Sequence, residues 1–133
     1  MLGSTATHPN LGVIRKFFEA SSHGDRDGLR ATLAENAKWI FPGRHRFSGT
    51  KNGLNEIAAF FGELRRLGFR FEQLVAEATD RYVIDCERAW TDKYRVELQW
   101  CVLWKIENGK IVQGAHFAAD QRKTDRFFNT VRA

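Results

Sequence analysis

One histidine stands among groups that can move protons. In RVELQWCVLWKIENGKIVQGAHFAAD, residues 95–120, His116 lies four positions before Asp120, and Glu97, Gln99 and Cys101 occupy alternate positions upstream. An imidazole titrates near neutral pH, so His116 can take or give a proton under ordinary conditions. Asp120 or Glu97 can orient its ring. Cys101 would be a nucleophile if the imidazole reached its sulfur.

Which of these groups meet depends on the element that carries them. Val96, Leu98, Trp100, Val102, Trp104 and Ile106 alternate with Arg95, Glu97, Gln99, Cys101, Leu103 and Lys105, which is the period of a strand. Asn108-Gly109 follows, the pair favoured where both turn residues need φ > 0. A two-residue turn pairs Glu107 with Lys110. It then sets Trp100 opposite Phe117, Cys101 opposite His116, Gln99 opposite Ala118 and Glu97 opposite Asp120. Directly opposed strand neighbours rarely hold the geometry of a Cys–His nucleophile, so Cys101 is read as wall. Alternation alone puts the tryptophans in the core and the polar face in water.

Three other groups are candidates. Asp85 and Glu87 alternate with Val83 and Ala89, and paired carboxyls facing inward would be acid–base groups. The Asp92-Lys93 turn leaves that strand's register open, and a slip of one residue brings Arg88 inward instead; the pair is read as an exposed acidic row. His45 follows Phe41-Pro42-Gly43 in a segment rich in turn formers and reads as a polar loop residue.

Composition sets the bounds. The chain has 133 residues, 43% hydrophobic and 28% charged, an ordinary single globular domain over residues 1–133. The net charge of +5 is spread rather than gathered into a tract, so it gives no clear nucleic-acid signal. Cys86 and Cys101 lack metal-ligand spacing and read as reduced thiols of a cytoplasmic protein. MLGSTATHPN has no signal pattern, and no run reaches membrane length. No nucleotide loop or His/Cys cluster appears, so neither cofactor nor metal is expected.

Along the chain, residues 1–9 read as loose, and Asn10 caps a helix carrying Ile14, Phe17 and Phe18. Asp25 caps a second helix carrying Leu29 and Leu33, with Asn36 at its C-terminal end. A short strand Lys38-Trp39-Ile40-Phe41 stops at Pro42-Gly43, and residues 44–53 read as loop. A third helix carries Leu54, Ile57, Ala58, Phe61 and Leu64 and closes at Gly68. Two strands and the long hairpin follow, and Asp120 caps a last helix with Phe127 and Phe128. This is α+β: three N-terminal helices packed on a mostly antiparallel sheet, then a short C-terminal helix.

The order His-Gly-Asp, Leu29 with Leu33, Asn-Ala-Lys-Trp-Ile-Phe-Pro-Gly, Gly49-Thr-Lys, Asn-Gly-Lys-Ile and Asp120 with Asp125-Arg-Phe-Phe resembles the SnoaL-like, ketosteroid-isomerase-related group of the NTF2-like superfamily, over nearly the whole chain. The resemblance implies a cone, a strongly curved sheet around three helices with a deep pocket. That fold hosts isomerases, cyclases, hydrolases and non-catalytic domains.

The resemblance also implies that His116 holds the place of a last-strand acid working inside the pocket. On that footing the face of Glu97, Gln99, Cys101, His116 and Asp120 looks inward. Phe17, Trp39, Phe41 and Phe61 then wall an apolar pocket for a small apolar ligand, with His116 as proton carrier. Leu98, Trp100, Val102, Trp104 and Phe117 would lie on the outer sheet face and drive a homodimer. The chain departs from the family's enzymes in detail. Phe17 stands where ketosteroid isomerases carry a phenol, and Phe41 where they carry a carboxylate base. The Arg and two Asp residues of epoxide hydrolases are not at matching spacing. A non-catalytic ligand-binding or protein-interaction domain is the alternative.

Overall fold

The computed structural model describes residues 8–131. Two helices, α1 (Pro9–His23) and α2 (Arg26–Thr32), precede β1 (Leu33–Phe41). β2 (Gly49–Asn52), α3 (Gly53–Arg66), β3 (Arg70–Ala78), β4 (Tyr82–Thr91), β5 (Val96–Glu107), β6 (Lys110–Ala118) and α4 (Gln121–Thr130) follow. The strands form one curved six-stranded sheet ordered β2-β1-β6-β5-β4-β3. Only β1 and β6 pair in parallel. The fold is NTF2-like, with two helices before the first strand and one after the second.

Local chemistry explains most boundaries. His8, not Asn10, caps α1: its ring accepts from the Asn10 amide at 3.1 Å, with Pro9 in the first turn. Asn10 sits inside the helix and donates from its side chain to the carbonyls of Thr79 and Asp80. Gly24, in the left-handed region, ends α1. Asp25 and Asp120 cap α2 and α4, each accepting an amide at 3.0 Å. The second helix stops at Thr32, four residues before the expected Asn36, because Leu33 is already paired with Ile111. Residues 44–53 are not all loop, since Gly49–Asn52 pairs with β1 as β2. Of the N-terminal stretch expected to be loose, residues 1–7 lie outside the described residues.

The hairpin begins as expected. Asn108 and Gly109 both have positive φ, 51° and 74°, and Glu107 faces Lys110, Ile106 faces Ile111. Then Val112 bulges: Lys105 pairs with Gln113, and the register slips by one residue. Cys101 therefore faces Phe117, not His116; His116 faces Val102, and Trp100 faces Ala118. A one-residue slip exchanges the two faces of a strand. His116 joins the tryptophan side, where it is 5% exposed, and Phe117 turns to solvent at 58%.

The tryptophan face is the core. Leu98, Trp100, Val102, Trp104 and Ile106 are buried together with Phe17, Trp39, Phe41 and Phe61. The apolar face expected to drive a homodimer is thus spent inside one chain. Glu97, Gln99 and Cys101 point outward with Leu103, because alternation between core and solvent, not the resemblance, decides this strand.

Exchanging a phenylalanine for a histidine in the core is unfavourable by area alone. Trp39 supplies the compensation. The bulge brings Gly114 beneath its indole, and a Cβ there would lie 2.2 Å from a ring carbon of Trp39. That indole stacks on Phe17, centroids 5.6 Å apart, and meets Phe61 and Trp104 edge-on. Gly114→Ala is expected to destabilise the chain by about 1–3 kcal/mol through overpacking, seen as a lower urea midpoint at unchanged slope. An unchanged midpoint would mean that Trp39 does not fix the bulge.

Candidate functional site

β4 carries the groups that sequence reasoning left outside. Val83, Asp85, Glu87, Ala89 and Thr91 are all buried. The acidic row expected at the surface faces inward, because the β4–β5 register pairs Glu87 with Trp100 and Asp85 with Val102, core residues both. A buried indole N–H needs an acceptor. Trp100 Nε1 donates to Glu87 Oε1 at 3.1 Å, and Trp104 Nε1 donates to Asp85 Oδ2. The pairing of two tryptophans with two carboxyls was the available signal. The open register at the Asp92-Lys93 turn concealed it.

Burial pushes both carboxyls up, Glu87 to about 10. Each retains one buried oxygen, Asp85 Oδ1 and Glu87 Oε2, without a donor from any other described group. The two side chains interact with one another, and a proton retained by the pair would give one of these oxygens a donor. The pairing favours the neutral form of Glu87 and the charged form of Asp85, so Glu87 is the acid and Asp85 the acceptor. Around neutral pH Glu87 is a carboxylic acid in an aromatic setting.

Glu87 also lines a cavity. A cleft of about 810 Å³ runs between α1 and the inner face of β3. Leu11, Ile14 and Phe18 of α1, Phe61 of α3, and Phe69 and Phe71 give it apolar walls; β4 contributes Glu87. Arg15, Glu19 and Arg65 are exposed and border the cleft.

The expected site residues separate. Phe61 lines the cleft; Phe17, Trp39 and Phe41 are core. His116 is enclosed by Trp39, Phe41, Phe60 and Trp100, with ring centroids 4.9–6.2 Å away. It is absent from the cleft wall. Neither ring nitrogen has a partner among the described residues, and burial lowers its pKa to about 3. It is neutral at any ordinary pH. Asp120 is a helix cap. Glu97 is ion-paired at 3.0 Å with Arg88, which also binds Glu72, on the outer face. His45 is buried rather than a loop surface residue: it stacks on Phe128 at 5.0 Å and lies 3.8 Å from Asp125, which ties the loop after β1 to α4. No group of three or more His, Cys, Asp or Glu able to hold a metal is present among the described residues.

The SnoaL-like domain family matches residues 14–114. Among curated proteins, the uncharacterized protein Rv0034 of Mycobacterium tuberculosis is 23% identical over 126 residues, covering 90% of this chain and 95% of its own. Bal32a, from a soil-derived mobile gene cassette, superposes with a TM-score of 0.81 at 27% identity, covering 90% of this chain and 96% of Bal32a. An NTF2-like protein from Burkholderia xenovorans LB400 gives 0.76 at 21% identity, covering 93% and 98%.

His116 and Glu87 act on stability in opposite pH ranges. His116 titrates near 6.5 when exposed and near 3 in the fold. The stability it contributes is complete above 6.5 and is lost as pH falls from 6.5 towards 3. Glu87 titrates near 4.5 when exposed and near 10 in the fold. Its contribution is complete below 4.5 and drains away as pH rises from 4.5 towards 10. In urea melts across pH, His116→Phe should flatten the acid limb and Glu87→Gln the alkaline limb. Limbs identical to the wild type would contradict the two assignments.

Proposed function

The chain belongs to the SnoaL-like domain family, and on that premise we propose that it is a small-molecule pocket protein in which Glu87, not His116, is the proton carrier. The observation that carries this is a neutral carboxylic acid at the wall of an apolar cleft. While the cleft is empty that proton lies on the Asp85–Glu87 pair; a ligand oxygen competes with Asp85 for it, and in a dry, low-dielectric setting such a hydrogen bond is worth more than in water. Asp85, held by the Trp104 indole, receives or returns the proton. The ligand class is a flat or aliphatic apolar molecule with a carbonyl or phenolic oxygen, since the walls offer aromatic surface and Glu87 offers one donor.

The reaction class is isomerisation or cyclisation by proton transfer. Such chemistry needs two groups of different acidity facing one substrate. Glu87 is buried; Glu19, from α1, borders the same cleft as an exposed carboxylate and is the candidate base. The fold is shared with a candidate ketosteroid isomerase from Kribbella flavida and a candidate SnoaL-like polyketide cyclase from Jannaschia. A second reading is non-catalytic binding. It is favoured by Phe17 and Phe41, core residues at the positions where the family's isomerases carry acid and base.

The test uses 2-naphthol and 2-acetonaphthone as probes, followed by tryptophan fluorescence. Glu87→Ala should weaken binding about tenfold or more, as expected for loss of a buried donor. Binding to the wild type should fade as pH rises towards 10. Equal affinity of wild type and variant would overturn the assignment. Glu87→Gln separates the readings: it keeps a donor but cannot transfer a proton, so a catalyst loses turnover while a binder loses little.

A further inference from the structure

The outer face of the sheet carries a second pair of reactive groups. Cys86 and Cys101 are both free and half-buried. They lie directly opposite one another across β4 and β5. At the end of this ladder the Ile106 amide donates to the Arg81 carbonyl at 2.7 Å, which makes Arg81 and Ile106 a hydrogen-bonded pair. Hydrogen-bonded and non-hydrogen-bonded pairs alternate along antiparallel strands. Tyr82 with Lys105, Ile84 with Leu103, and Cys86 with Cys101 are therefore non-hydrogen-bonded pairs. In such pairs the Cα atoms are about 4.5 Å apart and the side chains closest. That separation lies inside the roughly 4.4–6.8 Å range a disulfide spans.

We propose that Cys86 and Cys101 form a dithiol site that hydroperoxides oxidise to an intramolecular cross-strand disulfide. The neighbouring Cys86 thiol, with burial, pushes the Cys101 thiol up to about 11. The first attack is assigned to Cys86, whose neighbour Cys101 is held in the thiol form. The Cys86 thiolate attacks one oxygen of the hydroperoxide. The O–O bond breaks, the alcohol leaves with the proton that Cys86 gave up, and Cys86 becomes a sulfenic acid. The Cys101 sulfur then attacks the Cys86 sulfur, and the S–O bond breaks. Hydroxide leaves and takes the Cys101 proton as water. In sum, two thiols and one hydroperoxide give one disulfide, one alcohol and one water; with hydrogen peroxide both small products are water.

The location gives the bond a consequence. Cys86 lies between Asp85 and Glu87 in β4, and Cys101 between Trp100 and Val102 in β5. The disulfide would staple the two strands at the rung between the Glu87–Trp100 and Asp85–Val102 pairs. It would lock the register on which the inward carboxyls depend.

The experiment is titration of the full chain with hydrogen peroxide under native conditions. Mass spectrometry, thiol alkylation and non-reducing electrophoresis follow. The expected product is a monomer lighter by two hydrogens, with both thiols blocked to alkylation. A dithiothreitol-reversible link should join the β4 and β5 peptides, and the urea midpoint should rise. Cys86→Ser and Cys101→Ser should each abolish the link; Cys101→Ser should leave Cys86 to accumulate as sulfenic or sulfinic acid. Three results would overturn the proposal: both thiols still alkylated after peroxide, a disulfide joining two chains, or over-oxidation of either cysteine in the wild type without a cross-strand link.

Discussion

A carboxylate taken from water into an aromatic interior loses several kcal/mol of solvation unless a partner offsets it. This chain buries two, on neighbouring inward positions of one strand, and among the described residues no cation is hydrogen-bonded to either. The solution is protonation and indole donors. Trp100 and Trp104 each give an N–H to a carboxyl, and burial holds the pair towards its protonated form. The rest of the inner sheet face follows from that arrangement. The β4–β5 register must hold for the indoles to reach, and the tryptophans must face inward for the carboxyls to have donors at all.

The bulge at Val112 is the second device, and it acts on a different strand. It lets β6 present Gly114 to Trp39 and carries His116 into the core with it. The histidine pays for this by losing its protonated form. Its neutral ring packs edge-on against four aromatic residues and is not part of the cleft wall. Two titratable groups thus have opposite fates in one interior. His116 is neutral because it has lost a proton and serves as packing. Glu87 is neutral because it has kept one, and it lines the cleft.

The fold was legible because its signals are local and ordered: capping Asp25 and Asp120, the Gly24 stop, the helical spacing of Ile57, Phe61 and Leu64, and the Asn108-Gly109 turn. The site was not. A bulge has no strong sequence mark, and one extra residue reversed every face assignment beyond it on β6. Alternation read without the resemblance would have placed Trp100, Trp104, Glu97 and Cys101 correctly. Asp85 and Glu87 were misread because the Asp92-Lys93 turn leaves the register of β4 open, and only the pairing with β5 shows which face is covered. The resemblance was right about the fold and about an inward His116, but the inward turn comes from the bulge.

The most direct measurement is infrared spectroscopy of the carboxyl groups at neutral pH. A protonated carboxylic acid absorbs at a C=O stretch well separated from the carboxylate bands, and in a dry site the band is sharp and slow to exchange in heavy water. The account predicts such a band in the wild type at pH 7, its loss in Glu87→Gln, and its disappearance only as pH approaches 10. A spectrum with carboxylate bands alone at pH 7, or a protonated band that survives in Glu87→Gln unchanged, would contradict it.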